Sequence, residues 1–174
     1  MERFFDYFTP EHYDLDLTIN DEKTRINGVA IIRGEAKAES IKLHAVRMEI
    51  KSIHLDGAKF EDFVHADGVL TLNHLAVGTH ELKIKFISQI KADMEGAYLS
   101  TYNHEDVEEK IVATQFESHY ARECFPCIDE PSAKATFSLK ITSVEDDNIL
   151  SNMPAAFTTV QEGHKTVEFA ETPR

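Results

Sequence analysis

Two cysteines, Cys124 and Cys127, are the first residues whose spacing could carry chemistry. A Cys-x-x-Cys pair acts in redox proteins when one thiolate has a lowered pKa, usually at the start of a long helix. Pro131 follows within a few residues and would break such a helix. The sequence therefore favours two reduced or adventitiously paired thiols over a redox site, and two cysteines are too few for a disulfide framework.

A metal site is the second chemistry that the residue types suggest. His104 and Glu105 begin like the zinc motif His-Glu-x-x-His, but Glu108 stands where the second histidine must ligate the metal. The residues around this run, 102–110, look like an exposed loop. The other histidines lack ligand spacing, and neither a Ser-His-Asp set nor a glycine-rich phosphate motif stands out. The sequence therefore predicts no catalytic residue, no metal ligand and no bound cofactor in this chain.

Composition and charge exclude several classes of partner. The chain has 174 residues, of which 42% are hydrophobic, so it is long enough to fold around a core. Its formal net charge of -13 would repel nucleic acids and anionic membrane surfaces, so neither is an expected partner. No apolar stretch approaches the roughly 20 residues that span a bilayer, and the first residues lack the basic-then-apolar pattern of a signal peptide. We therefore expect a cytoplasmic protein.

The elements that must position any site are short strands. Tyr13, Leu15, Leu17 and Ile19 alternate with polar residues, which is typical of a strand with one buried face. Similar runs follow at 29–32, 41–43, 48–55, 69–75, 82–87, 111–116, 136–141 and 167–169. Many short strands at this spacing favour an all-β fold, an antiparallel sandwich or a curved pair of sheets.

Breakers and loops separate these runs. Asn27-Gly28 and Asp56-Gly57 are turn dipeptides, and the second one predicts a hairpin. The segment 35–40 is the best helical candidate, but it is too short for a stable helix. The only extended irregular stretch is 118–135, and long loops on a rigid sheet are where functional residues tend to lie.

From Thr114 to Phe137 the chain carries a dense set of motif residues in one ungapped register. They are Thr114, Gln115, Phe116, Glu117, Ala121, Arg122, Phe125, Pro126, Cys127, Asp129, Glu130, Pro131, Lys134, Ala135, Thr136 and Phe137. This block resembles the N-terminal domain of the aminopeptidase N family of zinc metallopeptidases. Weaker matches at 10–15, 94–98, 151–154 and 171–173 follow the family's order. The resemblance implies an antiparallel, saddle-like β-sandwich with long loops, in agreement with the period-two pattern.

The resemblance implies roles for two residues at the start of the block. In the family, the residue that closes the Thr-Gln-x-Glu motif helps to bind the free amine of the substrate. Glu117 is therefore the expected amine anchor, and peptide N-termini are the expected partner. Gln115, two positions earlier on the same strand face, is implied to line the same pocket. The alternative interpretation of Glu117 is a solvated carboxylate at a strand end.

The charged residues further along the block have a different expected role. A loop of this length needs internal charge pairs, so we expect Arg122, Asp129 and Glu130 to be structural rather than catalytic. The chain departs from the family at 118–120, where Pro-Thr-Asp is more usual, and at Glu123, which replaces a frequent second arginine. These departures change the local charge pairing without moving the expected amine anchor.

The resemblance also implies how the whole protein is organised. Residues 1–174 are expected to form a single N-terminal β domain of a longer aminopeptidase, because the sequence stops after an apolar alternation without a closing element. The downstream catalytic domain of the same protein would supply the zinc site, and the surface that faces it should be unusually apolar. The alternative is a stand-alone β-sandwich protein-interaction module without catalysis.

Overall fold

The chain is built from short strands joined by tight turns. A computed structural model describes residues 2–174, and within this range the chain forms thirteen strands and two 3-10 helices. The strands are β1 (Phe8–Ile19), β2 (Arg25–Ala36), β3 (Ile41–His44), β4 (Met48–Leu55), β5 (Ala58–Phe60), β6 (Phe63–Ala66), β7 (Val69–Leu72), β8 (Gly78–Gln89), β9 (Gly96–His104), β10 (Val107–Gln115), β11 (Thr136–Val144), β12 (Ala155–Gln161) and β13 (His164–Phe169). The helices are single turns at Phe4–Asp6 and Ala121–Glu123. The predicted all-β class is confirmed.

The strands form three sheets. The largest has eight strands in the order β12-β13-β11-β1-β2-β8-β4-β5, the second has the order β3-β7-β6, and β9 and β10 form a two-stranded ribbon. Neighbouring strands are antiparallel, except that β1 and β11 run parallel with Tyr13 opposite Phe137. A parallel pair needs a long crossover, and here all the strands from β2 to β10 form it. The motif block is thereby brought beside the start of the chain.

The core lies between the eight-stranded and the three-stranded sheets. As the alternation predicts, Tyr13, Leu15 and Leu17 of β1 are buried, whereas Asp14 and Asp16 on the other face are only half-buried. Fully buried side chains from the smaller sheet belong to the same cluster: Ile41, Leu43, Leu70 and Leu72. Burial of these apolar faces is the main force that holds the two sheets together.

The predicted hairpin at Asp56-Gly57 is confirmed. These two residues join β4 to β5, and both have positive φ, 51° for Asp56 and 84° for Gly57. Positive φ at both central positions is the signature of a type I′ turn, whose twist matches that of the strands it connects. Asp67-Gly68 closes the hairpin between β6 and β7 with the same signs of φ.

Two other sequence interpretations are wrong. Asn27-Gly28 lies inside β2 rather than between strands. The glycine is needed there because the ring of Phe86 on β8 occupies the space that a side chain at position 28 would fill. Residues 102–110 are not a loop but the paired ends of β9 and β10, with a turn only at Glu105 and Asp106. In contrast, the stretch 118–135 is irregular as predicted, apart from its single helical turn.

Helical structure is limited to the two short turns. The helical candidate at 35–40 is instead the end of β2, which runs to Ala36, followed by a bend. Across residues 2–174 no helix has the length and apolar character needed to cross a lipid bilayer.

The close approach of β2 and β8 at Gly28 gives a test of the fold. A β-carbon at position 28 would overlap the ring of Phe86, so Gly28→Ala should lower the free energy of unfolding. Overpacking of a core usually costs about 1–3 kcal/mol. Phe86→Leu removes the ring, so the double variant should lose less than the sum of the two single variants. Urea denaturation of the four chains measures these losses, and strict additivity would show that the ring is not the obstacle.

Candidate functional site

The candidate site lies where the β9–β10 ribbon meets the loop 118–135. Gln115 is the last residue of β10, where it pairs with Gly96 of β9, and Glu117 follows two residues later. Both Gln115 and Glu117 are exposed, and the backbone N–H of Glu117 donates to Oε1 of Gln115 at 3.3 Å. The two residues predicted to bind substrate therefore lie together at a solvent-facing strand end.

The neighbouring residues Thr114 and Phe116 contact an apolar groove of about 550 Å³ that Gln115 and Glu117 do not line. The ring of Phe116 packs edge-on against Phe125 with 5.9 Å between the ring centroids. Phe116 is therefore the partly buried anchor between two exposed polar residues.

An aromatic cluster below the loop supports this anchor. The ring of Phe125 also meets Tyr13 at 6.1 Å and Phe137 at 6.3 Å, and the last two rings stack on each other at 4.9 Å. The hydroxyl oxygen of Tyr13 accepts a hydrogen bond from the backbone N–H of Ile128 at 3.1 Å. Our sequence analysis missed this supporting role, although the aromatic residues inside the motif block were a signal that could have revealed it.

The carboxylate of Glu117 has no cationic neighbour in the part of the chain that the structure describes. No lysine, arginine or histidine side chain of residues 2–174 lies within salt-bridge distance of it. An exposed carboxylate without a partner is available to an external cation, and a charge-assisted hydrogen bond is stronger than a neutral one.

Arg122 and Asp129 pair with each other and not with the predicted substrate-binding residues. Nε of Arg122 donates to Oδ2 of Asp129 at 2.8 Å, and Nη2 donates to the backbone oxygen of Asp129 at 2.9 Å. The backbone N–H of Asp129 in turn donates to Nδ1 of His44 at 3.2 Å. Burial and the nearby Arg122 charge lower the pKa of His44, which favours the neutral ring that can accept this hydrogen bond.

Glu130 connects the loop to the start of the chain. Its Oε1 accepts hydrogen bonds from the backbone N–H groups of Phe4 at 2.5 Å and Phe5 at 3.3 Å, and its Oε2 lies 3.5 Å from Nε of Arg3. The polar atoms of Arg122, Asp129 and Glu130 are thus occupied by contacts inside the protein. Such contacts fit the structural role that the sequence predicts for these three residues.

The family departure at Glu123 has a partner that our sequence analysis missed. Oε2 of Glu123 lies 2.5 Å from Nζ of Lys91, and the two side chains are only 12% and 13% exposed. Lys91 belongs to no motif and is distant from Glu123 in the sequence, so no local pattern could have revealed the pair.

The two cysteines are free and buried. Burial raises the pKa of Cys124 to about 12 and raises that of Cys127 well above its ordinary value. Redox-active cysteines have the opposite property, a lowered pKa and access to solvent. The structure therefore gives these thiols a packing role.

The groove beside Phe116 is lined mainly by residues of β1, β10 and β11 and by residues 150–153. At its rim, Leu150 is 77% exposed. A concave apolar surface of this kind is typical of a contact with another domain or protein.

The described residues do not fit a metal ion. Residues 2–174 contain no cluster of three or more His, Cys, Asp or Glu side chains that could hold one. His104 and Glu105, which resemble the start of a zinc motif, lie at the exposed tip of the ribbon.

Sequence comparison establishes the family. The profile of the Peptidase M1 N-terminal domain matches residues 9–174. The chain belongs to this family. It is 39% identical over 176 residues to aminopeptidase N of Lactococcus lactis subsp. lactis, a match that covers 99% of the chain and 21% of the relative.

Two further relatives agree. Aminopeptidase N of Lactobacillus helveticus is 36% identical over 88% of the chain and 19% of its own length. Aminopeptidase M1-B of Oryza sativa subsp. japonica is 31% identical over 95% of the chain and 20% of its own length. The chain therefore spans about a fifth of the length of these relatives and corresponds to the N-terminal domain of an M1 aminopeptidase. The resemblance carried by the motif block is confirmed.

The buried thiols allow a direct measurement. Because the thiolate fraction falls tenfold for each unit that the pKa rises, both cysteines of the native chain should react with a chromogenic disulfide reagent at least about 100-fold more slowly than in the unfolded chain. The measurement is made at pH 8 with and without guanidinium chloride, and the unfolded chain should release a signal for two thiols. Rapid reaction of the native chain would contradict the packing role.

Proposed function

We propose that the chain is the N-terminal domain of a zinc-dependent aminopeptidase and that Gln115 and Glu117 bind the free N-terminus of the peptide substrate. The observation that carries the proposal is an exposed carboxylate at the end of a strand anchored by its apolar neighbour, with no cationic side chain of residues 2–174 within salt-bridge distance. The membership of the family supports the reaction class.

The chemistry of the substrate explains why a carboxylate is needed. An α-amino group has a pKa of about 8, so the N-terminus of a peptide is largely cationic at neutral pH, whereas an internal peptide bond is neutral. A fixed carboxylate at Glu117 distinguishes the two through charge-assisted hydrogen bonds. An amine held at this point allows only the first peptide bond to reach a catalytic centre placed at a fixed distance.

Gln115 adds a second contact to the same amine. Its side-chain amide has both an acceptor oxygen and a donor nitrogen, so it can accept from the substrate amine and donate to a substrate carbonyl. The backbone N–H of Glu117 donates to the side-chain oxygen of Gln115, which links the two residues and favours their joint action.

The catalytic machinery would come from another part of the same polypeptide. We propose that a downstream catalytic domain packs on the apolar groove beside Phe116 and holds the zinc ion, which would polarise the scissile carbonyl and activate water. The full length of the relatives leaves room for such a domain. Two free thiols favour a reducing compartment and therefore a cytoplasmic location for the enzyme.

A first experiment tests this division of labour. The purified chain should not hydrolyse an aminoacyl-anilide, with or without added zinc, whereas the full-length protein should. The coding sequence beyond Arg174 is read in parallel for a His-Glu-x-x-His motif followed by a further glutamate. Turnover by the isolated chain would overturn the proposal, and a stop codon after Arg174 would favour a protein-interaction module instead.

A second experiment tests the amine anchor in the full-length enzyme. Glu117→Gln keeps the shape of the side chain but removes its charge, so KM for free-amine peptides should rise about 10- to 100-fold, the equivalent of one charge-assisted hydrogen bond. Glu108→Gln is the matched control, because Glu108 is an exposed glutamate on the same ribbon. An unchanged KM for Glu117→Gln would remove Glu117 from the binding site.

A further inference from the structure

Lys91 is attached to the base of the β9–β10 ribbon through its backbone. Its N–H donates to the oxygen of Ala97 at 3.0 Å, and its oxygen accepts from the N–H of Leu99 at 2.7 Å. Lys91 thereby forms a parallel bridge with Tyr98 in β9. The position of Lys91 is therefore linked to β9, the strand that pairs with β10.

The side chain of Lys91 contacts two carboxylates. Its Nζ lies 2.5 Å from Oε2 of Glu123 and 2.8 Å from Oδ2 of Asp93. Oε2 of Glu123 is buried, and no donor among residues 2–174 meets it at a hydrogen-bonding angle, so the contact is held by charge. Burial lowers the pKa of Lys91, but its two carboxylate partners more than offset this effect and the net shift is upward.

Glu123 is joined by the backbone to the segment that contains Glu117. The N–H of Glu123 donates to the oxygen of Tyr120 at 3.1 Å, and the N–H of Tyr120 donates to the oxygen of Phe116 at 2.9 Å. Two consecutive turns thus connect Glu123 to the residue that directly precedes Glu117.

The ribbon and the turn also touch directly. Gly96 pairs with Gln115, and a β-carbon at position 96 would lie 3.2 Å from Cβ of Glu123 and 3.4 Å from the oxygen of Tyr120. Gly96 has a φ of 66°, a conformation that glycine adopts without steric cost. The segment 115–117 is therefore connected to both the ribbon base and the helical turn, and the Lys91–Glu123 pair joins these two structures.

We propose that the Lys91–Glu123 ion pair is a positioning clamp that fixes the carboxylate of Glu117 for the amine of the substrate, an inference that rests on the proposed function. The other ionic partners are more exposed: Nη1 of Arg47, on a side chain that is 63% exposed, lies 3.8 Å from Oε2 of Glu123, and the side chain of Asp93 is 46% exposed. Exposed ion pairs contribute little, whereas removal of one partner from a buried pair leaves the other charge without its main partner. Loss of either charge should shift the helical turn relative to the ribbon and with it the direction of Glu117. Neither clamp residue needs to touch the substrate.

The test uses single and combined variants of the full-length enzyme. Glu123→Gln and Lys91→Met should each raise KM for free-amine peptides by about 3- to 10-fold with little change in kcat, and Lys91→Arg, which keeps the charge, should restore most of the affinity. The matched control is the exposed ion pair of Lys59 and Glu61, where Lys59→Met and Glu61→Gln should leave KM unchanged. Thermal unfolding of each variant identifies any that fail to fold, and Glu123→Gln decides the question when Lys91→Met does not fold.

A double-mutant cycle separates positioning from general destabilisation. If Glu123 acts through Glu117, then Glu123→Gln should raise KM less than about 2-fold when Glu117 is already glutamine. If the fold-increases in KM of the two single variants simply multiply in the double variant, the clamp is refuted. It is also refuted if Glu117→Gln raises KM and Glu123→Gln leaves KM unchanged. An unchanged KM for Glu117→Gln itself overturns the proposed function and the clamp with it.

Discussion

The packing of Phe116 against Phe125 is the interaction on which the rest of the site depends. Phe116 stands between Gln115 and Glu117, so the position of its ring determines where both polar neighbours emerge. The ring pair lies over aromatic side chains of β1 and β11, the two strands that pair in parallel at the centre of the large sheet. An edge-on aromatic pair contributes about 0.5–1.5 kcal/mol beyond the burial of its surface. A strand end that would otherwise fray is therefore held in one place.

The fold was predictable wherever one face of a strand is buried. Alternation along β1 gave the correct strand because Leu15 and Leu17 face the core, and the turn at Asp56-Gly57 followed from local backbone preference alone. Prediction of a turn failed at Gly28, where a contact with a residue distant in sequence, Phe86 of β8, determines the local structure. Prediction also failed for the outer half of the ribbon, because both of its faces are exposed and leave no period-two pattern.

The candidate site likewise contains residues that the sequence could indicate and residues that it could not. The motif block is continuous in sequence, so the resemblance alone predicts Gln115 and Glu117 as substrate-binding residues. The length of the loop predicts charge pairs within it, and Arg122 and Asp129 form one. The packing of the loop on β1 and the contact of Glu123 with Lys91 join segments that only the topology brings together. A residue that acts through another residue in this manner carries no motif of its own, so geometry is needed to find it.

The end of β10 and the residues after it have two different surfaces. Val112, Ala113 and Phe116 line the groove, where a catalytic domain is proposed to pack, while Gln115 and Glu117 are exposed. In the proposed enzyme, a domain that covers the groove beside Phe116 would lie next to Glu117, because the two residues are adjacent in the chain. Burial of an unpaired charge is costly, so the amine of a substrate is the partner that could accompany Glu117 into a closed site. In the proposed enzyme, the same requirement for charge pairing would thus select peptides with a free N-terminus.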